Sequence, residues 1–114
     1  MQPDEIKETA REIIGKGKCA VMVVSMGAAG AMLVTETLCE IVTPPPVERK
    51  STVGAGDSMV GGITYFLSLG KSILEAVQYG VACGTAATIN PGTALCTKED
   101  ADRLFKQIQE KSAG

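Results

Sequence analysis

The sequence predicts a layered α/β unit, a small sheet and helices packed on one another. Three observations lead there. CAVMVVSM, from Cys19 to Met26, is a short, β-branched and nearly continuous apolar run of strand length. Two further apolar segments of strand length follow it, AMLVT and LCEIVT. On either side of these the apolar residues change to helical spacing. The resulting order is one helix, three strands, then three helices. It lacks the alternating βα units of a complete doubly wound domain, so a piece of a larger fold is expected.

Each element has its own signal. Ile6, Ala10, Ile13 and Ile14 recur at helical spacing, and Gly15 and Gly17 end that helix. The run from Cys19 to Met26 reads as a buried strand in a sheet covered on both faces. GAAG, Gly27 to Gly30, turns the chain into AMLVT, and a second turn near Thr35 to Thr37 leads into LCEIVT. The prolines of TPPPVERKS remove donors and fix the backbone, which predicts an extended surface connector. After Gly56 the pattern is helical, with Met59, Ile63, Phe66 and Leu67 on one face and Gly70 as its stop. Ser72 is placed to cap the next helix, with Glu75 at the third position of a capping box. That helix carries AVQYGVACGTAATI, whose small residues let two helix backbones come close. NPGTALC is a loop, and Thr97 caps a last amphipathic helix through Leu104, Phe105 and Ile108.

Composition narrows the function. The chain has 114 residues, 45% hydrophobic and 21% charged, which suits a packed core in one domain or part of one. A formal net charge of −2 offers no basis for a nucleic-acid or membrane partner, and Lys16 and Lys18 are too few for a basic patch. MQPDEIKETAREII has no signal-peptide apolar stretch. The run from Ile73 to Ile89 is interrupted by Glu75 and Gln78 and reads as a buried helix rather than a membrane span. The cytoplasm is the expected location. Without histidine there is no Ser–His or Cys–His relay, so a general base must be Asp, Glu, Lys, Tyr or Cys. The four cysteines form no Cys-x-x-Cys pair and are expected as buried free thiols; a zinc site would need all four together.

The most informative stretch is KSTVGAGDSMVGG, Lys50 to Gly62. A helix start presents unpaired N–H groups and a partial positive charge. Gly54, Ala55 and Gly56 could turn those groups toward a phosphoryl group, with Asp57 beside it to accept the proton of an attacking alcohol. The same residues also fit an ordinary tight turn with Asp57 as an N-cap or first-turn acid. Two other phosphate motifs are excluded. GAGDSMVG has no Walker lysine and GKGKCAVM has the wrong spacing. A dinucleotide fingerprint would need a small residue where Met59 stands.

STVGAGDSMVGG resembles the second signature of the ribokinase/PfkB family of carbohydrate kinases. VVSMGAAGAML is similar to the family's strand–turn–strand lining the nucleotide site. CGTAATINPGT is similar to its helix and loop at the adenine side and the monovalent-cation site. Taken with PPPVERKS and ALC, these stretches look most like the family's ATP-dependent 6-phosphofructokinase branch. The resemblance implies the C-terminal part of a ribokinase-like three-layer α/β fold. It implies Asp57 as catalytic base and the amides of Gly54, Ala55 and Gly56 as an anion hole. ATP contacts would come from Ser25, Met26, Gly27 and Gly30 and from the helix around Val81 and Thr85. A potassium-type cation would sit on oxygens of Ser51, Val53, Ala87, Asn90 and Gly92, with a further ligand near Ala94 or Cys96. ATP, magnesium and possible potassium are the implied cofactors, and a sugar phosphate the implied partner.

On this resemblance residues 1–114 are the nucleotide-binding and catalytic-base portion, and the N-terminal sugar-binding and lid part is expected to be absent. The implied reaction of the complete enzyme takes fructose 6-phosphate to fructose 1,6-bisphosphate. A 1-phosphofructokinase or tagatose-6-phosphate kinase is the near alternative. A non-catalytic fragment keeping its fold and weak nucleotide affinity is another, and a cysteine-based redox or metal protein a third. Self-association through exposed apolar surface is expected of such a piece.

Overall fold

The computed structural model describes residues 3–17, 21–26, 29–45, 55–89 and 98–113. The chain divides into two compact units, Met1–Val42 and Thr43–Gly114.

The first unit is a helix on a three-stranded sheet. Helix α1 is Pro3–Gly15, β1 is Val21–Ser25, β2 is Ala31–Thr35 and β3 is Cys39–Val42. The strands run antiparallel in the order β1-β2-β3, with Val23 opposite Leu33 and Leu33 opposite Glu40. Ala10 and Ile14, one turn apart on α1, pack with Met32 and Val34, which share one face of β2. Met22, Val24, Met26 and Cys39 close around them.

The expected twice-covered strand is β2, whose Ala31 to Val34 are buried on both faces, and not β1. Among the described residues strand β1 lies at the sheet's edge with one neighbour. Val23 and its flanking residues are half-buried and Val21 is exposed. An apolar run reveals that a strand can be buried; its place in the sheet decides whether it is. The β2–β3 turn falls at the predicted position. Thr35 Oγ1 accepts the N–H of Leu38 at 2.9 Å, and the Thr35 N–H donates to the Leu38 carbonyl at 2.7 Å.

The second unit is three helices, α2 Ala55–Ser68, α3 Ile73–Ile89 and α4 Lys98–Ala113. Helix α2 ends where Gly70 adopts φ +80°. The N–H of Lys71 then reaches the Phe66 carbonyl at 3.1 Å and that of Gly70 the Leu67 carbonyl at 3.0 Å, a Schellman closure. Ser72 caps α3, its Oγ accepting the Glu75 N–H at 3.2 Å. Glu75 Oε1 accepts from the Ser72 hydroxyl, also at 3.2 Å, instead of from the Ser72 N–H of a full capping box.

Helix α3 is buried at every residue from Ala76 to Thr88, and glycines set how closely α2 approaches it. A Cβ on Gly80 would lie 2.5 Å from Ile63 Cγ1 and 2.8 Å from the Met59 carbonyl oxygen. A Cβ on Gly62 would lie 2.8 Å from Cys83 Sγ. The predicted close approach is therefore present, and it turns α2 slightly from the expected face. Gly62 is buried, Met59, Ile63 and Phe66 are half-buried, and Leu67 is exposed instead of packed. Gly61 faces open space, so Gly61→Ala is expected to stabilise the unit by about 0.5–1 kcal/mol through helix propensity, read as a raised melting temperature.

All four aromatic residues of the chain meet in one cluster, Tyr65, Phe66, Tyr79 and Phe105. Phe66 stacks on Tyr79 at 4.0 Å between centroids, and Phe105 stands edge-on to both. Ala101, Leu104 and Ile108 are buried along α4, as its periodicity predicts. Cys83 is buried and Cys39 half-buried, neither in a disulfide; Cys19, Cys96 and Thr97 lie outside the described residues. Among the described residues no helix is long and apolar enough to cross a membrane.

Candidate functional site

The expected site residues fall in both units. Ser25 ends β1, exposed and paired with Ala31. Met26 follows it, donating its N–H to the Gly30 carbonyl at 2.8 Å and accepting from the Ala29 N–H at 3.2 Å. Gly30 has φ +100°, which a side chain would strain, so a glycine is required at the exit of this turn. Gly27 lies outside the described residues.

In the second unit Ala55, Gly56 and Asp57 form the first turn of α2. The first N–H groups of an α-helix have no partner within the helix itself, so a helix start carries a partial positive charge. A Cβ on Gly56 would meet nothing within 4 Å, so the space beside this turn is open. Asp57 is exposed. The turn is seated by α3: a Cβ on Gly84 would lie 3.0 Å from the Ala55 carbonyl oxygen and 3.5 Å from Met59 Cβ. Gly84→Val is therefore expected to push the first turn of α2 out of place. Amide shift changes centred on residues 55–58 would report it, while α4 amides stay unmoved.

Val81 and Thr85 are buried on α3, at 3% and 4% exposure. Ala87 is also buried, in the last turn of α3, where a helix's carbonyl groups have no partner within the helix itself. Such carbonyls suit a hard, weakly charged cation. Gly54, Ser51, Val53, Asn90, Gly92, Ala94 and Cys96 lie outside the described residues. Among the described residues no three His, Cys, Asp or Glu side chains stand together as a metal cage.

Asp57 also lies at a groove of about 540 Å³, lined by Ser58, Gly61, Tyr65, Tyr79, Cys83 and Lys98 among others. Lys98 was no sequence candidate, because the residues around it carry no motif. It enters the groove because α4 packs on α3. Lys98 Nζ donates to Asp102 Oδ2 at 2.8 Å, and that hydrogen bond and charge hold the ammonium above its ordinary range. Tyr79 donates to the other oxygen of Asp102 at 3.3 Å.

The family model described as pfkB family carbohydrate kinase matches residues 1–100. The ATP-dependent 6-phosphofructokinase isozyme 2 of Escherichia coli (strain K12) is 48% identical over 107 residues, 94% of this chain and 35% of that protein. The 1-phosphofructokinase of Rhodobacter capsulatus is 32% identical over 109 residues, 96% of this chain and 34% of that protein. Among solved structures, the phosphofructokinase-2 of Escherichia coli in complex with potassium matches with a TM-score of 0.90 and 46% identity, over 96% of this chain and 35% of that one. The chain spans about a third of the length of these relatives.

Proposed function

The chain belongs to the pfkB family of carbohydrate kinases, and from that premise we propose that it is the nucleotide-binding and catalytic-base portion of a sugar-phosphate kinase. The observation that carries this is the start of α2: an exposed carboxylate, Asp57, in the first helix turn, beside a Gly56 whose missing side chain leaves open space among the described residues.

The chemistry follows from that arrangement. A sugar hydroxyl attacks the terminal phosphorus of ATP, the bond to the bridging oxygen breaks, and ADP leaves. Asp57 accepts the hydroxyl proton as the new O–P bond forms. The N–H groups of Gly54, Ala55 and Gly56 stabilise the charge on the transferring oxygens. The β1–β2 turn, with Ser25, Met26, Gly27 and Gly30, and the α3 segment around Val81 and Thr85 would hold the nucleotide. Magnesium would bind through the nucleotide's phosphates. The Ala87 carbonyl, with Ser51, Val53, Asn90 and Gly92, would hold a potassium-type cation, which adds positive charge near the phosphates.

Fructose 6-phosphate is the favoured acceptor, because the 48% identical relative is named a 6-phosphofructokinase. A 1-phosphofructokinase is the second reading, supported by the relative from Rhodobacter capsulatus. Titrating the chain with ATP, magnesium and potassium while following backbone amide shifts tests the nucleotide role. Saturable shifts are expected at residues 25–30 and 54–57. A dispersed spectrum with no shift at either place would reduce the chain to a folded, non-binding fragment.

A further inference from the structure

One turn of α3 faces two ways. Val81 and Thr85, four residues apart, share one side of it, and Gly84 lies about 100° round the helix from Thr85. Gly84 is where α3 meets the first turn of α2. A Cβ there would stand 3.0 Å from the Ala55 carbonyl oxygen, inside the 3.4–4 Å of ordinary contact, and 3.5 Å from Met59 Cβ, which is within it. The Ala55 carbonyl is therefore the group that would have to give, by a few tenths of an ångström. Burial decides which helix yields. Every residue of α3 from Ala76 to Thr88 is buried. In the first turn of α2, Gly56 and Asp57 are exposed and Ala55 and Ser58 half-buried. The α2 turn is the looser partner.

We propose that Gly84 is a positioning residue for the transfer. Its bare Cα lets the Ala55 carbonyl rest against α3, and that rest sets where Asp57 stands relative to the Val81–Thr85 side of α3. A contact onto backbone has no rotamer to absorb a displacement, so position passes from α3 to the turn with little slack. The seating of the turn is independent of what the turn does; its consequence for turnover rests on the proposed function. The contact differs in kind from that at Gly80, where a Cβ would stand 2.5 Å from Ile63 Cγ1 and 2.8 Å from the Met59 carbonyl oxygen, in the middle of α2. A side chain at Gly80 parts two helices. Alanine at Gly84 shifts one exposed turn slightly, and its better helix propensity keeps the fold intact.

Gly84→Ala and Gly84→Val form a graded series. In the whole chain the backbone amides of residues 55–58 should shift with alanine and shift further with valine, while the alanine variant keeps the natural urea midpoint. Turnover is read with the chain grafted onto the remaining part of its Escherichia coli relative. A misplacement of about 1 Å can cost about 10²-fold in rate, so a few tenths should lower kcat about threefold to tenfold in Gly84→Ala. KM for ATP should stay within about twofold, because Val81 and Thr85 keep their places. Gly84→Ala combined with Asp57→Asn should lose less than the two single losses multiplied, since the base it displaces is already gone.

Natural kcat in Gly84→Ala overturns the positioning role. So does a rise in KM for ATP as large as the fall in kcat, or a pair of losses that multiply. Unmoved amides at residues 55–58 in both variants overturn the seating itself. Asp57→Asn with natural turnover would strike the base assignment instead, and the amide shifts would still decide whether Gly84 seats the turn.

Discussion

Replacing Asp57 by alanine is expected to lower phosphoryl transfer to a sugar phosphate by about 10²–10⁴-fold, the usual contribution of a positioned general base. Asp57→Asn should lose as much, since asparagine keeps the size and capping ability of the side chain but accepts no proton. That pairing separates proton acceptance from a helix-start role. As a first-turn acid alone, Asp57 would be worth about 0.3–1 kcal/mol of helix stability and nothing in turnover. Because the chain spans 35% of its Escherichia coli relative, the rate is best measured after grafting it onto the remaining part of that kinase. The readout is ADP release with ATP, magnesium, potassium and fructose 6-phosphate. Nucleotide affinity should stay within about threefold, because the anion-hole amides do not change. An Asp57→Asn enzyme with natural turnover would remove the base assignment.

The largest expected effect on stability belongs to Gly80→Val, a loss of about 3 kcal/mol or more. The first carbon of any side chain there would stand 2.5 Å from Ile63 Cγ1 and 2.8 Å from the Met59 carbonyl oxygen. Ile63 could turn aside, but the Met59 oxygen is backbone in the middle of α2, so the two helices would have to part. Parting them also disturbs Gly62 on Cys83 and Gly84 on Ala55, the other two close approaches. A domain with ordinary stability of about 5–15 kcal/mol would lose a large share of it. Urea unfolding should show a midpoint shifted far down with an unchanged slope. Gly80→Ala should lie between, since its gain in helix propensity partly offsets the clash. A Gly80→Val chain as stable as the natural one would mean that α2 and α3 are not packed this closely.

Much of the local structure was legible in the residues. Gly70 announced the end of α2 because the left-handed conformation there suits only a residue without Cβ. Ser72 and Glu75 announced the start of α3, although the glutamate bonds to the hydroxyl rather than to the backbone. For Asp57 the residues gave two readings, a base beside a phosphoryl group or a first-turn acid, because both place an acidic residue at the start of a helix. Lys98 was not legible, because its place in the groove depends on how α4 packs and not on its neighbours in sequence.

By itself the sequence determined where each helix and strand forms, where each stops, and which residues can share a face. Those are consequences of backbone sterics and of the 3.6 and 2.0 periodicities, which act within a few residues. Which of the permitted faces is covered was decided only in three dimensions. Leu67 and Phe66 are neighbours that qualify almost equally for the core of α2, yet Phe66 packs against Tyr79 and Phe105 while Leu67 is exposed. The reason is the contact at Gly62, Gly80 and Gly84. Backbones meet most closely where side chains are missing, and that line of approach fixes how α2 is rotated and which of its residues lie beneath it. Strand β1 follows the same logic. Its apolar residues equip it for burial, but among the described residues it has one neighbour, and β2 takes the centre.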